Sequence, residues 1–130
     1  MSNLNSMIHF EDFKADENSP IYQQILLFVK KGAVAGTIKD GDELPSRRQL
    51  SAVLGINPNT VQKAFSQLEE EGLIISHSGA KSVMSLDTDK IGLLRRELLT
   101  ESIEALNLSM KQMGISKEEA LSLIEKFWDK

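Results

Sequence analysis

The chain has 130 residues, 41% of them hydrophobic and 26% charged, which suits one globular domain or a small domain with an appendage. No stretch approaches the ~20 apolar residues that cross a bilayer, the start lacks a secretory signal pattern, and there are no cysteines for disulfides or thiolate metal sites. We therefore expect a cytoplasmic protein with no membrane segment, metal or other cofactor.

The net charge of −4 is unevenly distributed along the chain. Residues 1–18 carry one basic and four acidic residues, residues 19–86 seven basic and six acidic, and residues 87–130 seven basic and nine acidic. An acidic average argues against a nucleic-acid partner, because phosphates are neutralised by Lys and Arg. The middle segment is nevertheless the least acidic of the three and can carry a local basic face.

The acidic first segment is predicted to be a short strand or a docked arm, on the spacing of Ile8, Phe10 and Phe13. A helix follows. Ser19 is its predicted N-cap, Pro20 occupies the first helical position, where a missing N–H costs nothing, and Gly36 is the predicted stop.

Two short helices come next, separated only by Gly55 and Ile56. Ser46 with Gln49 predicts a capping box at the start of the first, and Asn57 followed by proline predicts the start of the second. Apolar residues at helical spacing predict one buried face on each helix: Leu50, Val53 and Leu54, then Val61, Ala64, Phe65 and Leu68. A turn this tight between amphipathic helices is typical of a helix-turn-helix.

Residues 73–75 and 83–86 are predicted to be two strands, because apolar runs flank the turn-prone sequence SHSGAKS. Three helices followed by a hairpin are the order of elements in a winged helix. The predicted fold class is therefore mainly α with a small β-hairpin: a winged helix-turn-helix followed by a C-terminal helical hairpin.

The tail is predicted to form that helical hairpin. One long helix runs from Asp87 or Thr88 to about Met113, Gly114 breaks it, and Ser116 with Glu119 predicts a capping box for the last helix. The long helix carries a heptad seam, and the last helix has a strongly apolar side. These residues form the predicted homodimer contact: Leu99, Ile103, Leu106, Met110, Met113, Ile124, Phe127 and Trp128.

The segments SPIYQQI and DGDELPSRRQLSAVLGINPNTVQKAFSQLEEEGLI resemble the DNA-binding domain of GntR-type bacterial regulators, over about residues 19–86. The acidic opening and short helical tail are similar to the YtrA-like branch. The resemblance implies a sequence-specific regulator, a repressor acting as a homodimer on a palindromic operator. The predicted domains are an N-terminal arm or short strand (1–18), a winged helix-turn-helix DNA-binding domain (19–86) and a two-helix dimerisation region (87–130).

The resemblance also implies DNA contacts by Arg48, by residues of the third helix and by the wing around His77, Gly79 and Lys81. The third helix offers suitable chemistry, because Asn and Gln pair bidentately with adenine, Thr contacts base edges or methyl groups, and Lys takes phosphate or guanine. Two departures leave wing and base contacts open: Pro58 stands where many relatives have arginine, and the wing has one glycine where Gly-x-Gly is common. The predicted DNA-binding set is Ser46, Arg47, Arg48, Asn59, Thr60, Gln62, Lys63, His77, Gly79 and Lys81.

Arg47 and Arg48 lie in the first turn of a predicted helix, where the helix dipole disfavours cations. We expect at least one of them to contact a DNA phosphate, and an internal salt bridge to a nearby acid is the alternative. The three glutamates at 69–71 point in different directions around a helix and are interpreted as a solvated face.

Two rival functions remain from the residues alone. The winged helix could be a protein-interaction module that the acidic charge keeps off DNA, or the chain could be an enzyme subunit. The second is disfavoured, since no Ser-His-Asp order, phosphate-binding glycine loop or supported carboxylate pair is present. His9 and His77 are too isolated to suggest zinc. No small-molecule effector is identified from the sequence.

Overall fold

The computed structural model describes residues 7–77 and 81–130. Two compact units are present, Met1–Leu94 and Arg95–Lys130. The elements in chain order are α1 (Ile21–Ala35), β1 (Glu43–Leu44), α2 (Arg47–Leu54), α3 (Pro58–Glu70), β2 (Ile74–Ser76), β3 (Ser82–Met84), α4 (Thr88–Gln112) and α5 (Lys117–Phe127). The predicted class, mainly α with a small β element and two C-terminal helices, is confirmed. Within the described ranges no helix combines the length and apolarity needed to span a bilayer.

The start of α1 corrects one prediction. Pro20, not Ser19, is the N-cap, and no side chain caps the first turn. The first i→i+4 backbone bond goes from the Gln24 N–H to the Pro20 carbonyl at 3.2 Å, while the Ser19 carbonyl accepts from Gln24 Nε2 at 2.7 Å, so residue 19 lies before the helix. The other end agrees with the sequence, since Gly36 adopts the left-handed conformation, φ 85°, that lets it cap the last turn.

The helix-turn-helix forms as the capping residues predict. Ser46 and Gln49 make both bonds of a capping box, each 3.0 Å long, and α2 ends at Gly55 with φ 65°. Asn57 Oδ1 then accepts from the Asn59 N–H at 2.7 Å, and Pro58 opens α3. Only the second predicted capping box is incomplete: Ser116 Oγ accepts from the Glu119 N–H at 3.1 Å, without the reciprocal bond.

The buried face of α2 differs from the predicted one. Leu50 is buried and Leu54 half-buried, but Val53 is 71% exposed. The less exposed positions of α2 are instead 47, 50, 51 and 54, and the Arg47 guanidinium lies over the Phe65 ring of α3. The buried face of α3 is as predicted: Val61, Ala64, Phe65 and Leu68 are all fully buried.

The sheet has three antiparallel strands in the order β1-β3-β2, one strand more than the predicted hairpin. The missed strand, β1, has only two residues, and Glu43 pairs with Val83. It lies inside a run of turn-forming residues, so the sequence there has no alternation of apolar and polar residues that would predict a strand. The wing is thereby anchored to the chain segment that leads directly into α2.

The N-terminal arm lies against this sheet edge and α1. The Ile8 N–H donates to the Glu43 carbonyl at 2.7 Å, and one parallel bridge joins Met7 to Glu43. Phe10 packs its ring against Phe28 of α1, with centroids 5.0 Å apart, and Phe13 meets Phe28 edge-on at 5.6 Å. Ile8 and Phe10 are buried, so the arm contributes to the core of the first unit.

One ion pair ties α1 to the end of α3. Lys30 Nζ lies 2.8 Å from Glu71 Oε1, and Gln67 donates to the other carboxylate oxygen at 2.8 Å. Partial burial raises the pKa of Glu71, but the hydrogen bonds from Lys30 and Gln67 and the Lys30 charge together outweigh it. The pKa of Glu71 therefore lies below the ordinary glutamate value.

Glu71→Gln is expected to lower the free energy of unfolding at pH 7 by about 0.5–1 kcal/mol. Because the folded-state pKa is depressed, the carboxylate stabilises the fold above its unfolded-state pKa, and this contribution is lost as the pH falls through the folded-state pKa. Denaturant titrations at neutral and acid pH measure it. The wild type and the variant should converge at acid pH, and an equal difference at both pH values would contradict this origin.

Candidate nucleic-acid interface

The polar face of α3 is the centre of the candidate interface. Its apolar stripe is buried against α1 and α2, which turns Asn59, Gln62 and Lys63 outward, and all three are exposed. Thr60 is half-buried, so less of it is available than the sequence suggested. The first two turns of α3 therefore present an amide, a second amide and an ammonium on one side.

The side-chain amides of Gln62 and Asn59 differ in their hydrogen bonding. Gln62 Nε2 donates to Ser66 Oγ at 2.9 Å, one turn further along α3. The Asn59 side chain makes no hydrogen bond within residues 7–77 and 81–130. Only its backbone N–H is used, as the donor to the Asn57 cap. Asn59 has both a donor and an acceptor to offer, as bidentate pairing with a base edge requires.

The two arginines at the start of α2 have different surroundings. Arg48 is exposed, and its guanidinium has no hydrogen bond or ion pair in the described part of the chain. Arg47 is half-buried, with its guanidinium carbon 5.0 Å from the centre of the Phe65 ring of α3 and its Nε buried without a hydrogen-bond partner. The internal salt bridge considered as the alternative is thus absent for both arginines among the described residues, and Arg48 is the freer cation.

The wing supplies one described cation. Lys81 Nζ lies 3.6 Å from Glu43 Oε1 of β1, and the His77 N–H donates to the Lys81 carbonyl at 2.8 Å across the base of the hairpin. Both His77 and Lys81 are exposed. The third predicted wing residue, Gly79, lies outside the described residues. Part of the Lys81 charge is therefore offset by an acid that sequence reasoning had not linked to the wing.

The C-terminal unit exposes its apolar residues. Ile103, Phe127 and Trp128 are 53%, 55% and 78% exposed, and α5 has no buried residue. Leu99, Leu106 and Met113 of the seam are exposed as well, while Met110 and Ile124 are half-buried beside a groove of about 360 Å³ between the end of α4 and α5. Leu108 is also exposed but lies off the seam. Apolar surface of this kind marks an interaction site.

Sequence reasoning missed two contacts of the interface. Lys63 Nζ lies 4.1 Å from the ring centre of Tyr22, in the first turn of α1, and Arg47 stacks on Phe65. Both join residues on different helices, so no spacing within one helix could have indicated them. Within the described ranges, no group of three or more His, Asp or Glu residues is placed so that it could hold a metal ion.

Comparison with known proteins gives consistent matches. Residues 21–82 match the family described as bacterial regulatory proteins, gntR family. The chain is 34% identical over 104 residues to the HTH-type transcriptional repressor YtrA of Bacillus subtilis, covering 78% of this chain and 79% of YtrA. It is 30% identical over 116 residues to the HTH-type transcriptional regulator YhcF of Bacillus subtilis, covering 89% of this chain and 96% of YhcF. A solved GntR family transcriptional regulator from Listeria monocytogenes is similar, with a TM-score of 0.77, 32% identity, and coverage of 86% and 98%.

Proposed function

Because this chain belongs to the GntR family of bacterial regulatory proteins, and to its YtrA-like branch, we propose that it is a sequence-specific repressor that binds a palindromic operator as a homodimer. The members of this family are DNA-binding transcriptional regulators, not enzymes. The observation that carries the specific proposal is the outward face of α3, where the Asn59 amide has no intramolecular partner among the described residues. Such a protein acts in the cytoplasm, where bacterial DNA lies.

In the proposed mechanism, α2 binds the DNA backbone and α3 contacts the base edges. Arg48 at the start of α2 holds a phosphate, which fixes the register of the protein on the duplex without reading sequence. The first turn of α3 enters the major groove, where Asn59 pairs with the N6 and N7 edge of an adenine. Lys81 and His77 of the wing approach the neighbouring backbone.

In the proposed homodimer, the two chains contact each other through the exposed seam of α4 and the apolar side of α5. A twofold-symmetric dimer supplies one copy of α3 for each half of a palindromic operator. Repression follows from occupancy, because a dimer bound across a promoter excludes polymerase. The relative YtrA is named a repressor, which supports this direction of regulation.

One observation favours a second function. The net charge of −4 opposes binding to a polyanion, as expected of a winged helix that contacts proteins instead. Two features weigh against this alternative in the described residues: the first turn of α2 carries an unpaired arginine, and the exposed part of α3 near its start has no acidic residue. Local charge then outweighs the average, because screening confines electrostatic attraction to about 10 Å at ordinary salt.

Selection of binding sequences from a random duplex pool, followed by hydroxyl-radical footprinting, tests the proposal. An imperfect palindrome is expected, with two protected segments on one face of the duplex, separated by about 10 base pairs or a multiple of that. Protection of a single asymmetric site by one chain would contradict the homodimer. Failure to select any DNA at low salt would support the protein-interaction alternative.

A further inference from the structure

Three lysines among the described residues show two different kinds of partner. Lys30 is 2.8 Å from a Glu71 oxygen, and Lys81 is 3.6 Å from a Glu43 oxygen, so each of these charges is offset by a carboxylate. Lys63 instead lies over an aromatic ring, that of Tyr22, at 4.1 Å, and it has no ion pair within residues 7–77 and 81–130. The lysine on the exposed face of α3 is thus placed by a neutral partner.

A neutral partner has a specific consequence for binding an anion. A carboxylate would hold the ammonium as well, but it would cancel the charge and repel a phosphate. The face of an aromatic ring attracts the ammonium through its quadrupole and leaves the net charge in place. A lysine held over a ring therefore loses less side-chain freedom when it meets a phosphate than an unrestrained lysine does.

The surroundings of Tyr22 suit this role. Tyr22 is half-buried in the first turn of α1, which packs against α3, so its ring has limited freedom to move. Gln23 Nε2 donates to the tyrosine hydroxyl oxygen at 3.2 Å. Lys63 itself is exposed, so its ammonium can meet a ligand from the solvent side while it lies over the ring.

We propose that Tyr22 is a positioning residue that holds Lys63, through the cation–π contact, for a phosphate of the bound DNA. The inference rests on the proposed function and extends the DNA-binding surface to the start of α1. Lys63 contributes affinity for any duplex under this assignment, because a phosphate contact carries no sequence information. Tyr22 acts only through Lys63.

A double-mutant cycle tests the coupling, with Tyr22→Leu, Lys63→Met and the combined variant, and fluorescence anisotropy on a 20-base-pair duplex of unrelated sequence at low salt. Tyr22→Leu should weaken binding about two- to fivefold when Lys63 is present, the range of an exposed cation–π contact. It should have no further effect in the Lys63→Met background. Tyr22→Phe, which keeps the ring, should bind like the wild type.

Two outcomes would overturn the proposal. If Tyr22→Leu weakened binding equally in both backgrounds, Tyr22 would act independently of Lys63. If Tyr22→Phe lost as much affinity as Tyr22→Leu, the hydroxyl and not the ring would be the important group. A wild type that bound no duplex at low salt would instead overturn the proposed function.

A measurement on the unmutated fold keeps the pair testable even if Tyr22→Leu is unstable. In the wild-type protein, the ε-methylene protons of Lys63 should resonate upfield of the position of a free lysine, because this methylene is bonded to Nζ, which lies 4.1 Å from the centre of the Tyr22 ring. The signal is assigned by its disappearance in Lys63→Arg. A Lys63 signal at the position of a free lysine would show that the ring does not hold this side chain in solution, and the proposal would fall.

Discussion

Ile103→Glu should make the intact protein monomeric at micromolar concentration. Ile103 lies in the α4 seam and is 53% exposed in the single chain, so the proposed dimer would bury a large part of it. A carboxylate there would lose its hydration without gaining a partner, and the twofold axis would bring a second one close to it. Light scattering on the intact wild type and the variant measures the change.

Leu108→Glu is the matched control, because it adds the same charge to the same helix at a residue that is 59% exposed but off the seam. This variant should remain dimeric and bind DNA like the wild type. Ile103→Glu should bind a palindromic operator about 10²- to 10⁴-fold more weakly, because the second half-site no longer benefits from a high effective concentration. A monomeric wild type, or an Ile103→Glu protein that stays dimeric, would contradict the seam as the interface.

The helix-turn-helix could be predicted in detail because its determinants are local. The Ser46 capping box, the Asn57 cap and the glycine that ends α2 each depend on residues within one helical turn. Such signals can be interpreted without knowing how the chain folds back on itself. The predicted N-cap at Ser19 was wrong by one residue, because the first i→i+4 backbone bond goes to the Pro20 carbonyl and the Ser19 carbonyl accepts from the Gln24 side chain.

Features that depend on distant partners could not be predicted. Strand β1 is defined by pairing with β3, about 40 residues later, and it has no alternating pattern of its own. The outward position of Val53 follows from how α2 lies on α3, and the apolar spacing of α2 could not distinguish it from an inward one. Helical periodicity gives the existence of a buried face but not its exact centre.

The candidate site also combines features that local sequence predicts with features that depend on tertiary packing. Asn59, Gln62 and Lys63 are exposed as predicted, because the stripe that buries the other side of α3 is strong and regular. The sequence could not separate the roles of the two adjacent arginines, since only the packing of α2 on Phe65 makes Arg47 half-buried and leaves Arg48 free. The dimer contact also stays a prediction, supported by the exposure of the seam.

Arg48→Ala and Asn59→Ala should fail in different ways. Removing a phosphate contact should weaken the operator and unrelated DNA alike, and flatten the log–log salt dependence by about one unit per protomer. Removing the Asn59 amide should cost about 1–3 kcal/mol of binding free energy on the operator and little on other sequences. Lys31→Ala is the matched control for charge, because this exposed lysine lies on α1 beside the N-terminal arm.

Equilibrium binding of the wild type and these three variants, to the operator and to an unrelated duplex over a range of salt, tests the central claim that α2 anchors and α3 reads. All four proteins must first show the same circular dichroism. We expect the salt slope to change in Arg48→Ala alone and the preference for the operator to fall in Asn59→Ala alone. An unchanged salt slope in Arg48→Ala, or equal loss on every DNA in Asn59→Ala, would contradict it.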